Sequence, residues 1–313
     1  MKTSKFFSMI FALLCVGMLA SCQKMEQELP PEEVVKAADS LWIITVQATK
    51  NPDTKSAETK GLEMEPGTPD NLWYFWKSTD KVKVFKGGEC IGTLNVTPAE
   101  GEHPTTATLS GYVNANNLSA NDELLLILPR DTWDYSSQNG KLTGEGSIES
   151  TCGFATATIS IVSKDESTHT LTISSGASFT NQQSIYRFAF KLGSSDGSGI
   201  SVKDFTLSST NNSVVRSRTY GTGGWESSRG SITVTMEAAT EDLIYVSLRN
   251  ENTSADTYTF IMHDSNGALH LASKSIPASV LDVAGRFITA RKIAATKPSF
   301  GASSAINDIA EIY

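Results

Sequence analysis

The chain has 313 residues, a formal net charge of −8 and 39% apolar residues, enough length and apolar content to bury more than one core. The acidic balance repels phosphate backbones and argues against a nucleic-acid partner. Four histidines and four cysteines, with no HExxH, GxSxG or phosphate-loop pattern and no zinc-type cysteine spacing, supply neither a catalytic constellation nor a cofactor site, so the chain reads as non-enzymatic.

The first segment has a basic start, Met1-Lys2-Thr3-Ser4-Lys5, followed by an apolar run from Phe6 to Ala20. A membrane-spanning helix needs roughly 20 apolar residues, so residues 1–21 read instead as a secretory signal with small residues before its cleavage point. The ending Leu19-Ala20-Ser21-Cys22 looks like a bacterial lipobox, which makes Cys22 the lipidated first residue of the mature chain. Acyl chains there would hold the protein to a membrane without a spanning helix, each buried methylene being worth roughly 0.8 kcal/mol. Residues 22–40 are acidic, contain Pro30-Pro31, and read as a tether between lipid and fold.

From residue 41 onward the dominant signal is period-two alternation, which lays apolar side chains on one face of a sheet. In the opening strand Trp42, Ile44, Val46 and Ala48 share one face, with Ile43, Thr45 and Gln47 on the other. Further strands are predicted at 81–85, 124–128, 155–162, 170–173, 186–192 and 205–208, then at 231–236, 243–248, 258–263, 268–273 and 287–293. Helical periodicity is scarce, and only 278–284 and the tail offer it. Lys86-Gly87-Gly88-Glu89, Asn139-Gly140 and Ser265-Asn266-Gly267-Ala268 carry hairpin-turn signals. This is an all-β pattern of two β-sandwiches in tandem, with domains over 41–181 and 182–313 and a boundary in the polar stretch 174–183.

Cys15 leaves with the signal and Cys22 takes the lipid, so Cys90 and Cys152 remain. Nothing in their spacing supports a bridge, and two buried free thiols are the expectation. A two-residue turn at Asn266-Gly267 sets His263 opposite His270 on the face of Thr259 and Ile261, with Phe260, Met262 and Leu271 inward. No third ligand accompanies the pair, so no metal site is assigned. The cluster Trp73-Tyr74-Phe75-Trp76 raises a second possibility, since Trp73 and Tyr74, if exposed, could stack on a sugar.

A lipobox, an early strand, a loop of lysines and then "WKSTDKVKVF" (Trp76 to Phe85), in that order, resemble the fimbrillin or type V pilin family of Bacteroidales. "TLSGYV" at 108–113, "NDELLLILP" at 121–129, "YRFAFKL" at 186–192 and "YTFIMHDSNGALH" followed by "AGRFITARKI" extend the likeness over nearly the whole mature chain. The resemblance implies two transthyretin-like β-sandwiches and a lipid-anchored, surface-exposed place on the cell outer membrane, with release into a fimbrium after processing. It also implies proteolysis in the loop after the first strand. Loss of that strand, with its inward face of Trp42, Ile44 and Val46, opens a groove that a strand of another pilus subunit fills. This chain departs from the family pattern in having no arginine before Arg130, so Lys50, Lys55 and Lys60 are the candidate processing positions. Those lysines also fit a plain solvated loop. The tail 297–313 reads either as a donor segment or as a closing strand. The function expected is that of a pilus subunit or pilus-associated lipoprotein supporting adhesion by donor-strand exchange. The alternative is a monomeric surface lipoprotein that binds glycans through exposed aromatics.

Overall fold

The computed structural model describes residues 40–50, 62–64, 72–194, 196–251, 254–281 and 287–298. Cys22, Lys55, Lys60, the signal, the tether and the tail beyond residue 298 lie outside these, as do the side chains of Trp73 and of residues 62–64. The strands all fall in one compact unit, Leu41–Tyr313.

In chain order the first half contains β1 (Leu41–Lys50), β2 (Leu62–Met64), β3 (Leu72–Tyr74), β4 (Lys81–Lys86), β5 (Glu89–Pro98), β6 (Thr106–Asn114), β7 (Glu123–Leu128), β8 (Thr132–Asp134) and β9 (Ser137–Gln138). A short helix α1 (Ile148–Thr151) precedes β10 (Ala155–Asp165), β11 (Thr170–Ile173) and β12 (Ala177–Asn181). The second half contains β13 (Ser184–Leu192), β14 (Val202–Ser209), β15 (Val215–Gly221), β16 (Gly224–Arg229), β17 (Ile232–Thr240), β18 (Ile244–Leu248), β19 (Asp256–Asp264) and β20 (Leu269–Ile276). It ends with α2 (Ala278–Leu281) and β21 (Phe287–Thr296).

The protein is all-β, with two barrel-like β-sandwiches in tandem. The first eight-stranded sheet runs β11-β1-β12-β10-β7-β4-β5-β6, and a further pairing of β1 with β6 closes it on itself. Closure removes the exposed edges that an open sheet would offer. The inward residues of its strands, among them Ile44, Val82, Leu109, Leu126 and Phe179, form one fully buried cluster. The second eight-stranded sheet runs β18-β13-β21-β20-β19-β14-β17-β9, its end strands β18 and β9 joined by the Gln138 and Ser247 hydrogen bonds, and here the last strand β21 lies parallel to β13.

Residues between β7 and β10 leave the first sheet. Their strand β8 joins β15 and β16 in a small three-stranded sheet, and β9 adds to the edge of the second sheet beside β17. Trp133, Tyr135 and Phe154 of this excursion are fully buried and share one apolar cluster with Phe85 and Ile127 of the first sheet and Phe188, Phe205 and Phe260 of the second.

Two turns differ from the sequence expectation. Asn139-Gly140 makes no hairpin, because Gln138 pairs with β17 and Gly140 accepts the Tyr245 amide instead. At the β19–β20 hairpin the loop holds three residues, 265–267, with Gly267 at a φ of +76°. Asp264 decides this, since its Oδ1 accepts the amides of Asn266 at 2.8 Å and Ala268 at 2.9 Å. The extra residue slips the register by one, and a one-residue slip reverses every side chain's face. His270 therefore faces inward opposite Met262, while Leu271 is exposed and His263 sits outside on Asp204. The two histidines are not opposed. Among the described residues Cys90 and Cys152 are both free, and Cys90 is exposed rather than buried.

Candidate functional site

The strand β1 is the element that the sequence reading expects to be removable. Its burial alternates along its length: Trp42, Ile44, Val46, Ala48 and Lys50 point in, while Leu41, Ile43, Thr45 and Gln47 point out. On one side it runs antiparallel to β6, in register from Leu41 opposite Asn114 to Thr49 opposite Thr106. On the other it runs parallel, first to β11 and then to β12. Neither β11 nor β12 pairs with β6, so β1 alone spans the gap between them.

Local contacts hold the strand at both ends. At its start the Trp42 ring stacks on His169 at 5.2 Å, with the Lys164 ammonium 4.4 Å over the indole, and the Ile43 amide donates to the His169 carbonyl at 2.8 Å. In the middle, Gly176 lies against the backbone, where a Cβ would sit 2.7 Å from the Gln47 carbonyl oxygen. Only glycine admits that approach.

At its far end the in-phase position is a lysine. Lys50 is buried, its Nζ donates to the Phe75 carbonyl at 2.7 Å, and it lies 3.8 Å from Oδ2 of Asp80, with both side chains fully enclosed. The same ammonium stands 4.0 Å from the Tyr74 ring centroid and 4.2 Å from that of Trp76. An ammonium over aromatic faces is attracted by the ring quadrupole, and the attraction grows when water is excluded. Asp80 is placed by its own turn: its Oδ2 accepts the Lys77 amide at 3.1 Å and its amide donates to the Lys77 carbonyl at 3.0 Å.

These positions bear on the sequence candidates one by one. Trp42, Ile44 and Val46 line the inner face of the closed sheet. Lys50 is not presented to a protease in the folded chain, because the side chain such an enzyme reads is enclosed. Tyr74 is not offered to a sugar, since its hydroxyl is buried and its ring covers Lys50. Lys50 as an interior residue and Asp80 as its partner were not anticipated. The signal was available for the first, since Lys50 continues the phase of 42, 44, 46 and 48; Asp80 carried none. Among the described residues no three metal-ligating side chains come together.

No protein-family model matches the chain, and no curated protein matches it. Among solved structures it is similar to a candidate cell adhesion protein from Bacteroides uniformis, at 14% identity and a TM-score of 0.40, covering 81% of this chain and 96% of that one. It is similar also to a fimbrial assembly protein from Parabacteroides distasonis, at 9% identity and a TM-score of 0.38, covering 80% and 90%. A candidate cell adhesion protein from Bacteroides fragilis resembles it at 11% identity and a TM-score of 0.35, covering 83% and 95%. With these TM-scores all below 0.5, the likeness carries no weight of its own for function.

Proposed function

We propose that the protein is a non-enzymatic, pilus-associated surface protein that supports adhesion, and that β1 is the strand its assembly exchanges. The observation that carries this reading is the position of β1 as the single strand between β6 and the β11–β12 pair. Withdrawing it breaks no other strand pairing of the sheet, yet it leaves two unpaired edges and an apolar groove. Burial of Trp42, Ile44 and Val46 is worth about 1.5–3 kcal/mol each, a sum comparable with a domain's whole stability of about 5–15 kcal/mol. An emptied groove is thus strongly inclined to take up another strand by edge pairing. In this reading the lipobox at Cys22 supplies an outer-membrane anchor before processing. Since Lys50 is enclosed, Lys55 and Lys60 are the processing positions in this reading.

The test is the mature N-terminus and intact mass of protein taken from the cell surface. A start after Lys55 or Lys60, without lipid and in polymers that withstand heating, is expected. A lipid-bearing Cys22 followed by an intact β1 in every molecule would overturn strand removal.

A further inference from the structure

We infer that the groove filled by β1 is read by charge at its far end, and that it selects a strand carrying a lysine in phase with, and just beyond, four alternating apolar residues. This rests on the exchange of β1 proposed above. It adds what kind of strand can enter: an extended segment of a neighbouring chain with the pattern apolar-x-apolar-x-apolar-x-apolar-x-lysine, as in Trp42 to Lys50.

A period of two leaves the register of an inserted strand ambiguous. A slip of one residue turns the apolar face outward and is excluded by burial. A slip of two keeps the face inward and exchanges one apolar side chain for the next, so Trp42, Ile44, Val46 and Ala48 restrict register only through their sizes. Lys50 removes the ambiguity. Any other register, or a strand that is apolar throughout, leaves the Asp80 carboxylate enclosed without the ammonium it faces in this fold. Removing one member of a buried ion pair is strongly unfavourable.

Among the described residues, the groups that face the Lys50 ammonium come from outside β1. The carboxylate, the carbonyl and the two rings all come from residues 74–80. The Asp80 turn closes on Lys77, the Trp76 amide donates to the Pro104 carbonyl at 2.8 Å, and the Trp76 ring meets Phe179 edge-on at 5.2 Å. The receptor for the ammonium therefore belongs to the groove and not to the strand that occupies it. Two rings standing about equally close to one nitrogen suit a compact ammonium better than a planar guanidinium.

The experiment uses the full chain, cut once between residues 50 and 62 so that β1 stays seated. Two labelled peptides are offered, one with the sequence of residues 41–50 and one with norleucine in place of the lysine. Capture of the lysine peptide at least about tenfold above the norleucine peptide is expected, with the ratio falling to about one in the Asp80→Asn chain. Equal capture of the two peptides by the unmodified chain would overturn the inference, and that comparison needs no variant to fold. If neither peptide enters, the strand-exchange reading fails, and selectivity is then judged on β1 itself. In mild urea the β1 fragment of a cut Lys50→Met chain should dissociate at least about tenfold faster than the native fragment. Release at equal rates would dispose of the lysine pocket as well.

Discussion

At the residue scale, two buried or half-buried acid–base pairs make opposite demands. Lys50 and Asp80 are fully enclosed, and removing one member of a buried ion pair is strongly destabilising. Lys50→Met is expected to lower the unfolding free energy by about 3–5 kcal/mol, read from urea midpoints. The double change Lys50→Met with Asp80→Leu should recover a large part of that loss, because an apolar pair of similar volume carries no desolvation cost. If the double variant is as unstable as the two single losses added together, the pair is not what holds this end of β1. Asp264 behaves differently. The His270 Nε2–H donated to its carboxylate at 3.0 Å, together with the Ala268 and Asn266 amides, brings its pKa down to about 2. A carboxylate depressed in the folded state adds stability above its unfolded pKa of about 3.9 and loses it as the pH falls through the folded value. Acid weakening of the β19–β20 hairpin should therefore develop between pH 4 and pH 2, with an Asp264 carboxyl NMR midpoint near 2. His270→Leu should move that midpoint upward, while the two amides keep it below the ordinary value. A midpoint unmoved by the change would deny His270 its part.

At the element scale, β1 is a strand whose fit depends on the backbone beside it. In Gly176→Ala the added methyl meets the Gln47 carbonyl oxygen at 2.7 Å, and a backbone atom cannot swing aside as a flexible side chain can. The cost expected is about 1–3 kcal/mol, the usual range for overpacking. Because the strain falls on β1, its amides should exchange faster with solvent in this variant while those of β19 stay as they were. Uniform protection across both strands would mean that the loop carrying Gly176 moves instead. How far each element was legible in the sequence follows from how its faces are buried. The β1 strand, with one wet and one dry face, was plain in the sequence, as were β10 up to Ile161 and β19 up to Met262, whose inward residues alternate over those spans. The strands β15 and β16 were not, because their residues are mostly half-exposed or exposed, and sequences such as Gly224-Trp225-Glu226-Ser227-Ser228-Arg229 show no dry face to count. In β5 only the second half alternates, its first residues being exposed or half-buried on both faces. The hairpin after β19 was visible, but not its register. Asn-Gly serves a two-residue turn and a three-residue turn with a bulge alike, and the choice rests on a side chain, Asp264, outside the dipeptide. The lysine pocket escaped for a related reason: a lysine at the end of a strand looks solvated until the aspartate thirty residues on is seen beneath it.

At the scale of the whole molecule, the excursion between β7 and β10 governs how the two sheets behave on unfolding. Tandem sandwiches joined only by a linker melt independently, since each buries its own core. Here Trp133, from the first half of the chain, stacks on Phe154 at 4.9 Å and leans on Trp225 of β16 at 4.2 Å, with the Arg218 guanidinium of β15 over the Trp225 ring at 4.4 Å. Phe85 of β4 meets Tyr220 of β15 edge-on at 5.3 Å. The Gln138 amide group donates to the Ser247 carbonyl at 2.9 Å and accepts the Ser247 amide at 2.8 Å, so the excursion is bonded into the second half as well as packed against it. Neither half can release residues 132–154 without exposing the shared aromatic cluster, and the chain is therefore expected to unfold in a single calorimetric transition. Trp133→Ala removes a fully buried indole and should cost about 3–5 kcal/mol. Its more telling effect is on cooperativity. With the shared cluster hollowed out, the two sheets should melt separately, splitting one transition into two. Two transitions already present in the unaltered chain would show that the cluster joins the sheets without coupling them, whereas one transition retained in Trp133→Ala would place the coupling in the hydrogen bonds of Gln138 and Ser247.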